Sequence, residues 1–283
     1  MSLLDRSATT RLLIAAAPVA VLGGVFLLLP RFPQSERYHR FADRRRRFGL
    51  PSFNDVVSNA AFVLPGAFGL WQLARPEGAV LDRREAAPWA ALFASAIGIG
   101  AGSAYYHLRP DHTRLVWDRL PMSTAFMAAI DVVLTERVSA KYGPRALGPM
   151  MALGAGSVLA WYASERAGKG DLRLYSFVQA APFAALPLLL GLFPSRYTQN
   201  TDWALAIASY GAAKLCELLD RPLYKATGRR LSGHTLKHLF AGVGFAVLSN
   251  MLRKAERTRA KDRAQQGISA EIPEAAPTTD SVA

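Results

Sequence analysis

A disulfide framework is absent from this chain. Its 283 residues hold one cysteine, Cys216, which lies in an apolar run and cannot form an intrachain bridge. Charge is scarce as well: Asp, Glu, Lys and Arg make up 19% of the residues, against about a quarter in ordinary soluble domains. There is no Gly-rich nucleotide loop, no long internal repeat and no strand alternation of the kind that builds a membrane barrel. The chain therefore carries no signature of an intrachain disulfide framework, a Gly-rich nucleotide loop or a porin-like barrel. Histidine is sparse too, with five in the chain, so where they fall is informative.

What the chain has is apolar runs. Hydrophobic residues make up 51%, and the charges crowd into short stretches between long runs of Ala, Leu, Val, Phe and Gly. A helix needs roughly 20 residues to cross the hydrocarbon core. The runs predict eight spans, near 12–30, 54–74, 87–107, 119–135, 145–164, 173–193, 203–219 and 234–252. Backbone polar groups must be satisfied within each segment in lipid, so helices are expected throughout. The fold class expected is all-α integral membrane, multi-pass.

The first span follows a short basic start, as a signal peptide would, but Pro30-Arg31-Phe32-Pro33 is a poor cleavage site. A retained transmembrane helix in residues 1–33 is the expectation. A basic loop over 34–52 follows, containing Arg44-Arg45-Arg46-Arg47. Helices over 53–253 form the main domain, and 254–283 read as a disordered tail without a role in chemistry. The net charge of +13 would suggest nucleic acid in a soluble protein. Here Lys and Arg flank apolar spans, so anionic lipid headgroups are the expected partners and nucleic acid is not. Lys and Arg divide too evenly between the two sets of loops to set an orientation.

Three histidines carry the functional reading. His234 and His238 are four apart at the start of the last span, on one helical face. His107 ends the third span, and Asp118 opens the fourth. Loops three-to-four and seven-to-eight lie on the same side of any eight-span arrangement, so all four residues reach similar depth. Ser103 shares a face with His107 at the same spacing of four. Ionisable residues inside membrane helices are costly and therefore point to function. Three imidazoles and a water suit a tetrahedral Zn²⁺ with one open position. Asp118 is placed to take the water's proton or orient a ligand, and Ser103 to hydrogen-bond an oxyanion.

Plainer roles exist for each group: a histidine capping a helix end, an Asp118–Arg119 ion pair, Ser103 as a close-packing small residue. His39, in the arginine-rich loop, and His112, in the short loop before Asp118, are poor ligand candidates, with His112 a gate at most. Asp55, Ser58 and Asn59 share a face at the start of the second span and read as helix–helix hydrogen bonding, with Asp55 a candidate support for the metal. Lys214, Glu217 and Asp220 share a face in the seventh span. Lys237, between the two histidines, is expected to snorkel to the interface.

Ser103-x-x-x-His107, Asp118 within Trp-Asp-Arg-Leu-Pro-Met, and His234-x-x-x-His238 together resemble the alkaline ceramidase family of the CREST superfamily of membrane hydrolases. Phe53…Ser58-Asn59 and Glu217-x-x-Asp220 add to the likeness, which covers about residues 53–252. The resemblance implies a seven-helix CREST-like bundle, here with one extra N-terminal transmembrane helix. It implies Zn²⁺ on His107, His234 and His238, and Asp118 and Ser103 as catalytic residues. The implied reaction is hydrolysis of the amide of ceramide-like N-acyl lipids to fatty acid and amine. The family's acidic calcium site and the glutamate near Ser52 are missing, so calcium regulation is not implied. Two other functions fit the residues: a receptor or sensor with a structural metal, and a haem-binding bundle.

Overall fold

The computed structural model describes residues 7–75, 81 and 83–271. Among them the chain is helical with no strand. The helices are α1 (Ala8–Leu28), α2 (Phe53–Val57), α3 (Ala60–Ala74), α4 (Arg83–Leu108), α5 (His112–Val133), α6 (Gly143–Arg166), α7 (Arg173–Leu192), α8 (Asn200–Leu218), α9 (Asp220–Ala226) and α10 (Gly233–Glu271). Side-chain caps set several of their starts. The Ser7 hydroxyl accepts from Thr10 N at 3.2 Å, and Asp111 accepts from Arg114 N at 2.8 Å, starting α5. Ser232 accepts from Thr235 N at 2.9 Å at the head of α10.

Six helices are long and apolar enough to cross a membrane: α1, α2–α3 taken together, α4, α6, α7 and α10 up to Ala255. The other two predicted spans, α5 and α8, have 22 and 19 residues. At about 1.5 Å per residue, each approaches the thickness of a hydrocarbon core. They are less apolar because they carry charge, and much of that charge faces inward. Asp118, Arg119 and Asp131 of α5 are buried, and Asp202 of α8 is buried and receives Lys254 Nζ at 3.0 Å.

α5 is the central helix, packed by α4, α6 and α7. α10 lies against α8 and α3, and α1 lies against α7. α1 is peripheral: Arg11 donates to the Leu192 carbonyl at 3.0 Å, and Phe26 meets Phe177 edge-on at 6.5 Å. At the C-terminal end of α5, the Glu136 carboxylate accepts from the backbone N–H groups of Arg196, Tyr197 and Thr198. That knot ties the α7–α8 connection to the bundle.

The boundaries differ from the expected ones in three informative places. The second span breaks at Ser58–Asn59, which leaves two side chains free to turn inward. The fourth begins at His112, not Arg119, because Asp111 caps it. The last continues to Glu271 where a disordered tail was expected from 254. The added stretch is dominated by Ala, Arg, Lys, Glu and Gln, all good helix formers. The remainder of the expected tail, 272–283, lies outside the described residues.

The basic loop over 34–52 is not a loose connector. A short 3₁₀ turn, Glu36–His39, is capped by Ser35, which accepts from Arg37 N at 3.2 Å. Asp43 then anchors the segment. Its carboxylate accepts from Arg45 Nε at 2.8 Å, Arg45 Nη2 at 2.6 Å and Asn54 Nδ2 at 2.9 Å. Between these points the chain lies across the end of the bundle, with Phe41 buried beneath it.

Candidate metal centre

Close helix packing brings the distant residues together. A Cβ on Gly102 would collide with the backbone of Trp117 and Asp118, so only glycine allows α4 and α5 this close. One residue on, Ser103 hydrogen-bonds the Asp118 carboxylate. One turn further, His107 is buried, with 1% of its surface exposed. Ser103 thus meets Asp118 across the α4–α5 contact, one turn before His107 on α4.

The head of α10 is held by two carboxylates from different helices. Asp55 Oδ1 accepts from Thr235 Oγ1 at 2.6 Å and Ser232 Oγ at 3.1 Å. Asp220 Oδ1 accepts from His234 N at 2.9 Å, while its Oδ2 accepts from Ala42 N at 2.8 Å. Acidic groups belong at a helix N-terminus, where free N–H groups and the dipole favour them. Here they also fix the rotation of α10, and with it the direction in which His234 and His238 face.

The three imidazoles converge. His234 Nε2 lies 3.1 Å from His107 Nε2. Ring centroids are 4.7 Å apart for His107–His234, 4.7 Å for His234–His238 and 5.2 Å for His107–His238. The set offers one ligand nitrogen each, all within 4.8 Å of one another. Two nitrogens bound to one tetrahedral zinc at about 2.0–2.1 Å stand about 3.3 Å apart, close to the observed separation. Two neutral imidazoles presenting lone pairs at that distance repel unless a proton or cation lies between them.

The tautomer of His238 follows from its neighbours. The Ser58 hydroxyl donates to the Asp55 carbonyl at 3.3 Å. Its oxygen therefore accepts from His238 Nδ1, 2.8 Å away. That leaves the Nε2 lone pair for a ligand, the arrangement in which a metal-binding histidine is oriented by a second group. The donor chemistry and spacing fit a borderline transition metal such as zinc, and these buried histidines can hold a metal ion. Among the described residues this group comprises three side chains and no fourth. The close nitrogens leave no planar gap, so the site does not have the form of a bis-histidine haem pocket.

Phe41 covers the group, with its ring centroid 4.4 Å from that of His234 and 4.6 Å from that of His107. On the inner side a cavity of about 130 Å³ opens. His238, Ser103, Asp118 and Lys237 line one part of it, and Phe126, Leu186, Trp203 and Leu248 line the apolar remainder. Lys237 does not snorkel outward as expected. Its side chain is 13% exposed and donates to Glu217 Oε1 at 2.6 Å. The carboxylate on the neighbouring helix gives the ammonium a partner inside the bundle, so it has no need to reach water.

His39 also departs from expectation. Expected as a poor ligand candidate in the arginine-rich loop, it is buried, with Nδ1 2.7 Å from the Tyr106 hydroxyl and Nε2 3.1 Å from His112 Nδ1. Burial, reinforced by the neighbouring His112, lowers the pKa of His39 below the ordinary imidazole value. The signal overlooked in the sequence is Glu36-x-x-His39: three residues per turn in a 3₁₀ helix put the two on one side.

No protein-family model matches this chain, and no curated protein matches it significantly.

Proposed function

We propose that the protein is a zinc-dependent integral-membrane amidohydrolase that cleaves N-acyl lipids of the ceramide type, as its likeness to the alkaline ceramidases implies. The observation that carries the reading is the convergence of His107, His234 and His238 beside an apolar cavity that also receives Asp118 and Ser103. His107, His234 and His238 would hold the metal. When bound, it supplies a Lewis acid for the carbonyl and lowers the pKa of water toward about 7.

The chain's own residues account for the rest of the chemistry. The cavity takes the acyl chain out of the surrounding lipid and keeps the scissile amide at its polar end. Asp118 accepts a proton from the attacking water as its oxygen bonds to the carbonyl carbon. When the C–N bond breaks, Asp118 returns that proton to the departing nitrogen, so one water is consumed and a fatty acid and an amine are released. Ser103 hydrogen-bonds Asp118 at rest and is placed to donate instead to a developing oxyanion. Lys237, held by Glu217, adds positive charge along the same wall.

A receptor with a structural metal is the second reading. A structural zinc is normally closed by a fourth protein ligand, and the described residues supply three. That favours hydrolysis. Incubating the purified protein with a panel of N-acyl and O-acyl lipids, and measuring released fatty acid, decides the matter. Release from N-acyl lipids supports the proposal. Release from O-acyl lipids alone makes it an esterase, and no release favours the receptor.

A further inference from the structure

We propose that Glu36, His39 and His112 form a second divalent-metal site, of the zinc class, which clamps the 34–45 segment onto the head of α5. It is separate from the histidine triad and goes beyond the proposed hydrolase function. Three donor atoms meet there: His112 Nδ1 lies 3.1 Å from His39 Nε2 and 3.2 Å from Glu36 Oε1. All three ligand atoms fall within 4.8 Å of one another. Both short separations match the edge of a zinc-centred tetrahedron, about 3.3 Å for bonds near 2.0–2.2 Å.

Each ligand is delivered by a defined local structure. The 3₁₀ turn aligns Glu36 with His39. The Asp111 cap places His112 at the first position of α5, where its ring stacks on Trp161 at a centroid distance of 6.2 Å. The outer nitrogens are already engaged. His39 Nδ1 faces the Tyr106 hydroxyl, and His112 Nε2 lies 3.4 Å from the Gln34 carbonyl. A carbonyl can only accept, so His112 Nε2 carries its proton and the neutral ring presents Nδ1 as a lone pair toward the Glu36 carboxylate. That contact is repulsive as it stands, and a cation between the two makes it attractive. In the tautomer that a metal requires, His39 Nδ1 donates to the Tyr106 hydroxyl, His39 Nε2 adds a third lone pair at the same point, and a cation satisfies all three atoms at once. Two nitrogens and one oxygen suit zinc over magnesium or calcium. Glu36 is largely exposed, so solvent water reaches the remaining position.

The test is metal content of the purified full-length protein after equilibration with Zn²⁺ and removal of excess. Two ions per chain are expected, falling to one in His112→Ala and to one in His238→Ala. Glu36→Gln, at an exposed position that leaves the fold intact, should weaken the second ion by more than the roughly 10–100-fold typical of losing an outer-sphere partner. Metal content and affinity that stay at the wild-type values in both His112→Ala and Glu36→Gln overturn the proposal. One ion lost in His112→Ala but kept in His238→Ala upholds this site and removes the metal from the triad.

Discussion

The Nδ1 atom of His238 lies 2.8 Å from the Ser58 hydroxyl, whose own proton is directed to a main-chain carbonyl. The hydroxyl therefore sets which nitrogen of His238 faces the triad. Ser58→Ala should keep the fold and lower metal affinity by roughly 10–100-fold, the usual cost of losing such a partner. Competition against a chelator of known affinity measures it; unchanged affinity would mean that packing alone orients His238.

Asp118 has a different expected signature. Asp118→Asn preserves shape and removes the proton acceptor, so metal content should stay while turnover falls by roughly 10²–10⁴-fold. Parallel measurement of bound zinc and of fatty-acid release from an N-acyl lipid separates the two. Full turnover in this variant would reject proton transfer by Asp118.

The cavity makes a prediction about chain length. Ala206 and Glu217 are both on α8, about 16 Å apart along its axis, and Ala206 lines the apolar part of the cavity. Ala206→Phe should fill that space and cut turnover of long acyl chains several-fold while leaving short chains little affected. Equal loss for all chain lengths would show that the acyl chain lies elsewhere.

Asp43 links the covering segment to acid stability. Burial raises its pKa, but hydrogen bonds from Arg45 and Asn54 outweigh that and hold it below the usual carboxylate value. The unfolded value is about 3.9. The stabilisation is therefore fully present above that pH and is lost as pH falls through the lower folded value. Asp43→Asn should cost on the order of 1–2 kcal/mol near neutrality and flatten the acid limb of a thermal-stability profile. An unchanged acid limb would assign acid loss to other carboxylates.

Much of this architecture was legible because lipid-length helices announce themselves. Long apolar runs mark the spans, and the four-residue spacing of His234 and His238 puts both on the helix face that meets His107. Two loops on one side of the bundle carry His107 and His234 to the same end. What stayed hidden depends on tertiary partners. Lys237 turns inward only because Glu217 waits on another helix. His39 is buried only because a 3₁₀ turn folds back on Tyr106. Phe41 reads as an ordinary loop aromatic until the segment crosses the histidines. The helix beyond 254 rests on helix propensity alone, which a polar stretch without apolar periodicity does not announce.

X-ray absorption at the zinc edge, recorded on the His112→Ala variant so that one site remains, tests the central claim most directly. A first shell of four nitrogen and oxygen ligands at about 2.0–2.1 Å with the imidazole signature of three histidines, abolished by His238→Ala, is the predicted result. Zinc absent from that variant, or a spectrum indifferent to His238→Ala, would contradict it.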